Sequence, residues 1–178
     1  TEVGKKPSSN HPFKGNMNIS KLVSTIKKNG KENIAGVILT VTNNSGGGQP
    51  VSMKNAKQTS DVCKKYNIPL IIDACRIAEN AYFIKAREKE YKNYTYKKIA
   101  QKMFSLADGC TMSAKKDGIV NMGGFLALNS DKLTQQCKNE LIITEGFITY
   151  GGISGRDMEA ISTGLKEVFD PDYLQYRI

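Results

Sequence analysis

Two apolar runs constrain this chain most: Ile34-Ala35-Gly36-Val37-Ile38-Leu39-Thr40-Val41 and Ile68-Pro69-Leu70-Ile71-Ile72-Asp73. Each is short, rich in β-branched or aliphatic residues and uninterrupted by charge, the pattern of a strand buried on both faces in a parallel sheet. Between them Met53, Ala56, Thr59 or Ser60, Cys63 and Tyr66 recur at helical spacing, which predicts an amphipathic helix. Strand, helix and strand make one β-α-β unit, whose crossover is expected to be right-handed.

The alternation continues. Ile19 to Lys28 is expected to be a short helix stopped by Asn29-Gly30. Helices are expected over Glu79 to Lys89, Tyr94 to Phe104 and Asp131 to Glu140. Strands are expected over Asp108 to Ser113 and Gly124 to Leu128. Met158, Ile161, Leu165, Val168 and Phe169 mark another helix, and Asp172 to Ile178 a last one with no stop signal after it. Residues 1–18 form a turn-rich leading segment. The fold class is therefore α/β, with a mostly parallel sheet and flanking helices. The chain reads as a single domain over 1–178.

Several classes are disfavoured. Thr1-Glu2-Val3-Gly4-Lys5-Lys6 has no apolar stretch behind its charges, and no run is long enough to cross a bilayer, so a cytoplasmic protein with no membrane partner is expected. The four cysteines are far apart and His11 is the only histidine, so reduced thiols are expected and a zinc site is not. The net charge is 26 − 17 = +9. The cluster Lys85, Arg87, Lys89, Lys92, Lys97, Lys98 and Lys102 is broken by Glu88 and Glu90, which fits a solvated helical face better than a nucleic-acid stripe.

Ligands of α/β sheets sit at the carboxyl ends of strands. Three such ends carry polar groups: Asn43-Asn44, Asp73, and Ser113 with Lys115 and Lys116. Asp73 could cap the next turn through backbone N–H groups, or pair with a cationic ring nitrogen. Arg76 rides the same loop. Lys115-Lys116 could be plain surface, or Lys116 could form a Schiff base with an aldehyde cofactor, Lys115 lowering its pKa as a cationic neighbour. Gly46-Gly47-Gly48 lacks dinucleotide or P-loop spacing and reads as a tight turn.

Four stretches carry a resemblance: Asn44-Ser45-Gly46-Gly47-Gly48-Gln49-Pro50-Val51-Ser52, Glu79-Asn80-Ala81-Tyr82-Phe83-Ile84-Lys85, Met112-Ser113-Ala114-Lys115-Lys116-Asp117 and Tyr150-Gly151-Gly152. Together they resemble the β-eliminating lyases, the family of tryptophanase and tyrosine phenol-lyase. The match runs from about His11 to Ile178. The resemblance implies part of the large domain of a fold-type-I, aspartate-aminotransferase-like pyridoxal-phosphate enzyme. It implies that Lys116 holds pyridoxal 5'-phosphate and acts as the catalytic base. It implies that Asp73 meets the pyridine nitrogen and that Arg76 and Asn44 lie near the ring oxygen. Ser113 would bind phosphate, with Lys115 as the second lysine of the pair. The Asn121 backbone carbonyl would help bind a potassium ion.

The reaction so implied is β-elimination of an aromatic amino acid. Lys64-Lys65-Tyr66-Asn67-Ile68-Pro69 and Arg87-Glu88-Lys89-Glu90-Tyr91-Lys92 resemble tryptophanase more than tyrosine phenol-lyase. That favours L-tryptophan going to indole, pyruvate and ammonia. A homo-oligomer, a tetramer for a full-length member, is also implied. Family members are longer, so the chain is expected to be the central part of the large domain. The segment before it and the C-terminal small domain are expected to be absent, and the chain alone to be inactive. Alternatives are tyrosine phenol-lyase, another fold-type-I enzyme, or a non-catalytic binding module.

Overall fold

The computed structural model describes Lys6 and residues 8–178. The reading of Thr1 to Lys5 as free of a leader lies outside the described residues. The elements run α1 (Ile19–Asn29), β1 (Val37–Thr40), α2 (Met53–Tyr66), β2 (Leu70–Asp73), α3 (Ile77–Arg87) and α4 (Tyr96–Phe104). Then come β3 (Gly109–Ser113), β4 (Gly124–Leu128), α5 (Asp131–Thr144), α6 (Gly155–Glu167) and α7 (Pro171–Arg177). The strands form one sheet in the order β1-β2-β3-β4. β1, β2 and β3 are parallel, and β4 runs antiparallel to β3. The sheet is thus mostly parallel, as expected, with one reversed edge.

Local chemistry sets the boundaries. Asn18 caps α1 by accepting from Lys21 N–H, and Ser52 caps α2 by accepting from Asn55 N–H. Asn67, in the left-handed region at φ 54°, ends α2. The face of α2 predicted from periodicity is the buried one: Met53, Ala56, Thr59, Ser60 and Cys63. Ladder pairing in β2 begins at Leu70, because Pro69 has no N–H to give.

One expectation fails in β1. The run 34–41 reads as buried on both faces, but only 37–40 is strand and Ile38 is 62% exposed. β1 is an edge strand, and Ile38 opens onto a groove lined also by Met17, Leu22 and Thr25. The main core lies elsewhere: Leu39, Val41, Leu70, Ile72, Cys110 and Met112 pack with residues of α2, α3 and α4. All four cysteines are unpaired thiols, as expected. Burial, then Asp108, pushes the Cys63 thiol up to about 11. No helix among the described residues is long and apolar enough to cross a membrane.

Candidate cofactor-binding site

Parallel pairing puts the carboxyl ends of β1, β2 and β3 on one edge. In register, Thr40 lies beside Asp73 and Asp73 beside Thr111. The chain then leaves each strand in a tied loop. Val41 N–H donates to Asp73 O at 2.9 Å, Arg76 N–H to Val41 O at 3.0 Å, and Ala74 N–H to Thr111 O at 2.8 Å. The loop after β1 is folded by Asn43, whose side chain accepts from Gly46 N–H, and by Gly47 and Gly48 at φ 79° and 75°. Buried Asn80 of α3 anchors its far end, accepting from Val51 N–H at 2.8 Å and donating to Val51 O at 3.0 Å.

This geometry unites most of the candidates. Arg76 Nη1 donates to Asn44 Oδ1 at 3.2 Å, joining the loops of β1 and β2. Asp73 is half-buried at its strand end, and Oδ1 accepts from Cys75 N–H at 3.4 Å, long for a turn cap. Ser113 ends β3. Its N–H donates to Cys75 Sγ at 3.3 Å, while its Oγ is buried with no hydrogen-bond partner. A buried hydroxyl without a partner is uncommon and calls for an explanation such as a missing ligand. Lys116 is half-buried and Lys115 exposed. Asn121 stands apart, exposed on the β3–β4 loop. Among the described residues no group of three or more His, Cys, Asp or Glu side chains could hold a metal ion.

The residues fit an anionic, ring-bearing aldehyde cofactor. An orphan hydroxyl and Arg76 suit phosphate or phenolate oxygen, Asp73 suits a cationic ring nitrogen, and Lys116 supplies an amine.

Several contributors were not visible in sequence. Asp117 is fully buried; it accepts from Ala78 N–H at 2.6 Å and Glu79 N–H at 3.3 Å, and from Arg177 Nη1 at 2.8 Å. Glu79 takes Thr42 Oγ1 at 3.4 Å and faces Arg177 Nη2 at 3.8 Å. Burial raises the Asp117 carboxyl above its ordinary value, with Arg177 and the two N–H groups pulling it back. Burial and then Asp117 raise Glu79, against Arg177, Arg76 and Thr42. Burial would lower Arg177, but Asp117, Tyr173 and Glu79 outweigh it and leave the guanidinium raised. Cys75 is raised by burial, then by its hydrogen bond with Asp73, while Ser113 N–H and Lys116 oppose the rise. Asp117 follows Lys116 in a quoted motif, but its partners lie 39 and 60 residues away, with no local pattern to announce them.

The basic cluster of α3 and α4 is partly internal bracing. Lys85 Nζ donates to Lys92 O and Tyr94 O, both at 2.7 Å, and Arg87 lies over the Phe83 ring. The cluster is thus spread over α3, α4 and the turn between them rather than along a single helical face.

The architecture defines the class first. A solved structure from Exiguobacterium, described as an aromatic amino acid beta-eliminating lyase/threonine aldolase, superposes with a TM-score of 0.58 at 20% identity. That likeness covers 78% of this chain and 35% of the other. The likeness is one of fold, an α/β sheet with flanking helices. The family follows from sequence: the β-eliminating lyase profile matches residues 3–177, and the chain belongs to that family. A tryptophanase from Salinibacter ruber is 53% identical over 177 residues, 99% of this chain and 37% of that protein. A tyrosine phenol-lyase from Fusobacterium nucleatum is 50% identical over 169 residues, 95% of this chain and 37% of that protein. The chain thus spans little more than a third of the length of these relatives.

Proposed function

We propose that this chain is the cofactor-holding centre of the large domain of a pyridoxal-phosphate-dependent lyase that β-eliminates an aromatic amino acid, L-tryptophan by preference. The observation that carries the reading is the strand-end cluster: Asn44, Asp73, Arg76, Ser113 and Lys116 at the carboxyl ends of three adjacent parallel strands or in the loops that follow them, with a buried, unpartnered Ser113 hydroxyl among them. Family membership and relatives named tryptophanase support it. When bound, pyridoxal phosphate supplies an electron sink for the substrate's Cα.

The chain's own residues then divide the work. Lys116 Nζ would be the amine that holds the cofactor's aldehyde and would serve as general base for the Cα proton. The Asp73 carboxylate keeps a proton on the ring nitrogen. Arg76 and Asn44, already bonded to each other, hold the ring oxygen. Ser113 Oγ donates to phosphate, and Lys115 adds positive charge nearby. Indole, pyruvate and ammonia would leave. Potassium at the Asn121 carbonyl and a homotetrameric whole protein rest on the resemblance, and a cytoplasmic site of action on the absence of a long apolar run in the sequence.

Borohydride reduction of the whole protein with its cofactor is expected to place a pyridoxyl label on Lys116. Pyruvate release is expected to be faster with tryptophan than with tyrosine. A label on Lys115 or elsewhere would sink the site assignment; faster release from tyrosine would make the protein a tyrosine phenol-lyase. The chain alone is expected to be inactive.

A further inference from the structure

We propose that Asp117 is a positioning residue for Lys116: its buried carboxylate ties the turn carrying Lys116 to the first turn of α3, and Arg177 locks that tie. The proposal rests on the reading of Lys116 as the cofactor lysine.

The start of α3 lacks what a helix start normally has. Its N-cap is Arg76, whose side chain has no acceptor and makes no capping bond. The first N–H groups of the helix would otherwise be orphaned in a buried place, since Ile77 and Ala78 are both buried. Asp117 Oδ2 takes two of them, those of Ala78 and Glu79. A residue of another loop thus does the work of the cap, with its negative charge at the positive end of the helix.

The tie runs in both directions. Asp117 N–H donates to Cys75 O at 3.2 Å, so backbone and side chain both hold the turn against the loop that carries Arg76. Ile119 N–H donates to Lys116 O at 3.2 Å and closes the turn. A fully buried carboxylate needs a counter-charge, and Arg177 of α7 gives it through Oδ1 at 2.8 Å. Lys116, the residue before Asp117, is therefore held in place relative to the loop of Arg76. A cap serving stability alone would leave the reactivity of Lys116 unchanged in folded protein. A positioning residue would not.

The test uses the whole protein stripped of cofactor, timed exposure to pyridoxal 5'-phosphate, borohydride trapping, and peptide mapping of label on Lys116 relative to Lys115. Far-UV circular dichroism reports folding. In Asp117→Asn the rate at Lys116 is expected to fall about tenfold or more, as small misplacements of a reacting group do, with Lys115 unaffected. In Arg177→Met the fall is expected to be about threefold, since the carboxylate keeps its N–H partners but loses its counter-charge. The parent's rate at Lys116 in folded Asp117→Asn overturns the proposal. If that variant does not fold, the parent's rate in Arg177→Met overturns it. A parent protein labelled away from Lys116 sinks the functional reading together with this one; unchanged labelling of Lys116 in the variants sinks this one alone.

Discussion

Strands β2 and β4 belong to one sheet but live in different surroundings. In β2, Leu70 and Ile72 are buried, and the strand is hydrogen-bonded on both sides. In β4, Phe125 and Leu126 are exposed, and pairing is on one side only. The contrast extends along the chain: no residue from 119 to 160 is buried. Ile143, Phe147 and Ile148 of that stretch are exposed apolar groups, and Ile148 helps line a groove of about 750 Å³ with Met122, Phe125, Leu141 and Ile161 among others. The candidate site residues other than Asn121 all precede this stretch. The difference teaches that the edge carrying the candidate site is set by the closely packed part of the molecule, where the strand ends have little freedom to move.

Three substitutions would break or sharpen that comparison in the whole protein. The largest effect is expected from Ile72→Ala: Ile72 is 0% exposed, and removing a buried isoleucine side chain costs about 2–5 kcal/mol. A fall in the urea midpoint checks it; a loss below about 1 kcal/mol would mean that this core is looser than its burial implies.

The second is Gly164→Ala, at the boundary between the two regions. A Cβ there would clash with Gly118 O, two residues past Lys116. Overpacking is expected to cost about 1–3 kcal/mol, against a smaller gain in helix propensity. It is also expected to shift the Lys116 turn and slow pyridoxyl labelling there. Unchanged labelling would show that α6 can yield without disturbing the site.

The smallest effect is expected from Ile143→Ala, because Ile143 is 79% exposed; a surface change of this kind stays within about 0.5 kcal/mol. A loss as large as that of Ile72→Ala would show that, in the whole protein, another part of the molecule covers this face and the contrast between regions disappears.

Much of the architecture was legible because it follows from local rules. Period-3.6 spacing in α2 and the apolar run at β2 are read from neighbours in sequence, and they were placed correctly within a few residues. The family resemblance supplied the roles expected of Asn44, Asp73, Arg76, Ser113 and Lys116, and the alternating pattern put the strands before them side by side. The exposure of Ile38 was not legible, because an apolar run looks the same in a central strand and at a sheet edge. Position in the sheet is a matter of which strands pair, not of what a strand contains.

The sequence by itself thus determined the α/β class, the order of elements and the candidate residues at the ends of β1, β2 and β3. Tertiary structure alone decided that β4 would run antiparallel and that Ser113 Oγ would be buried without a partner. It alone decided that Arg76, a poor cap, would start a helix whose N–H groups are taken by Asp117 and balanced by Arg177. The reason is physical: periodicity and propensity act over a few residues, whereas satisfying a buried N–H or carboxylate depends on whichever distant group the fold brings within about 3 Å.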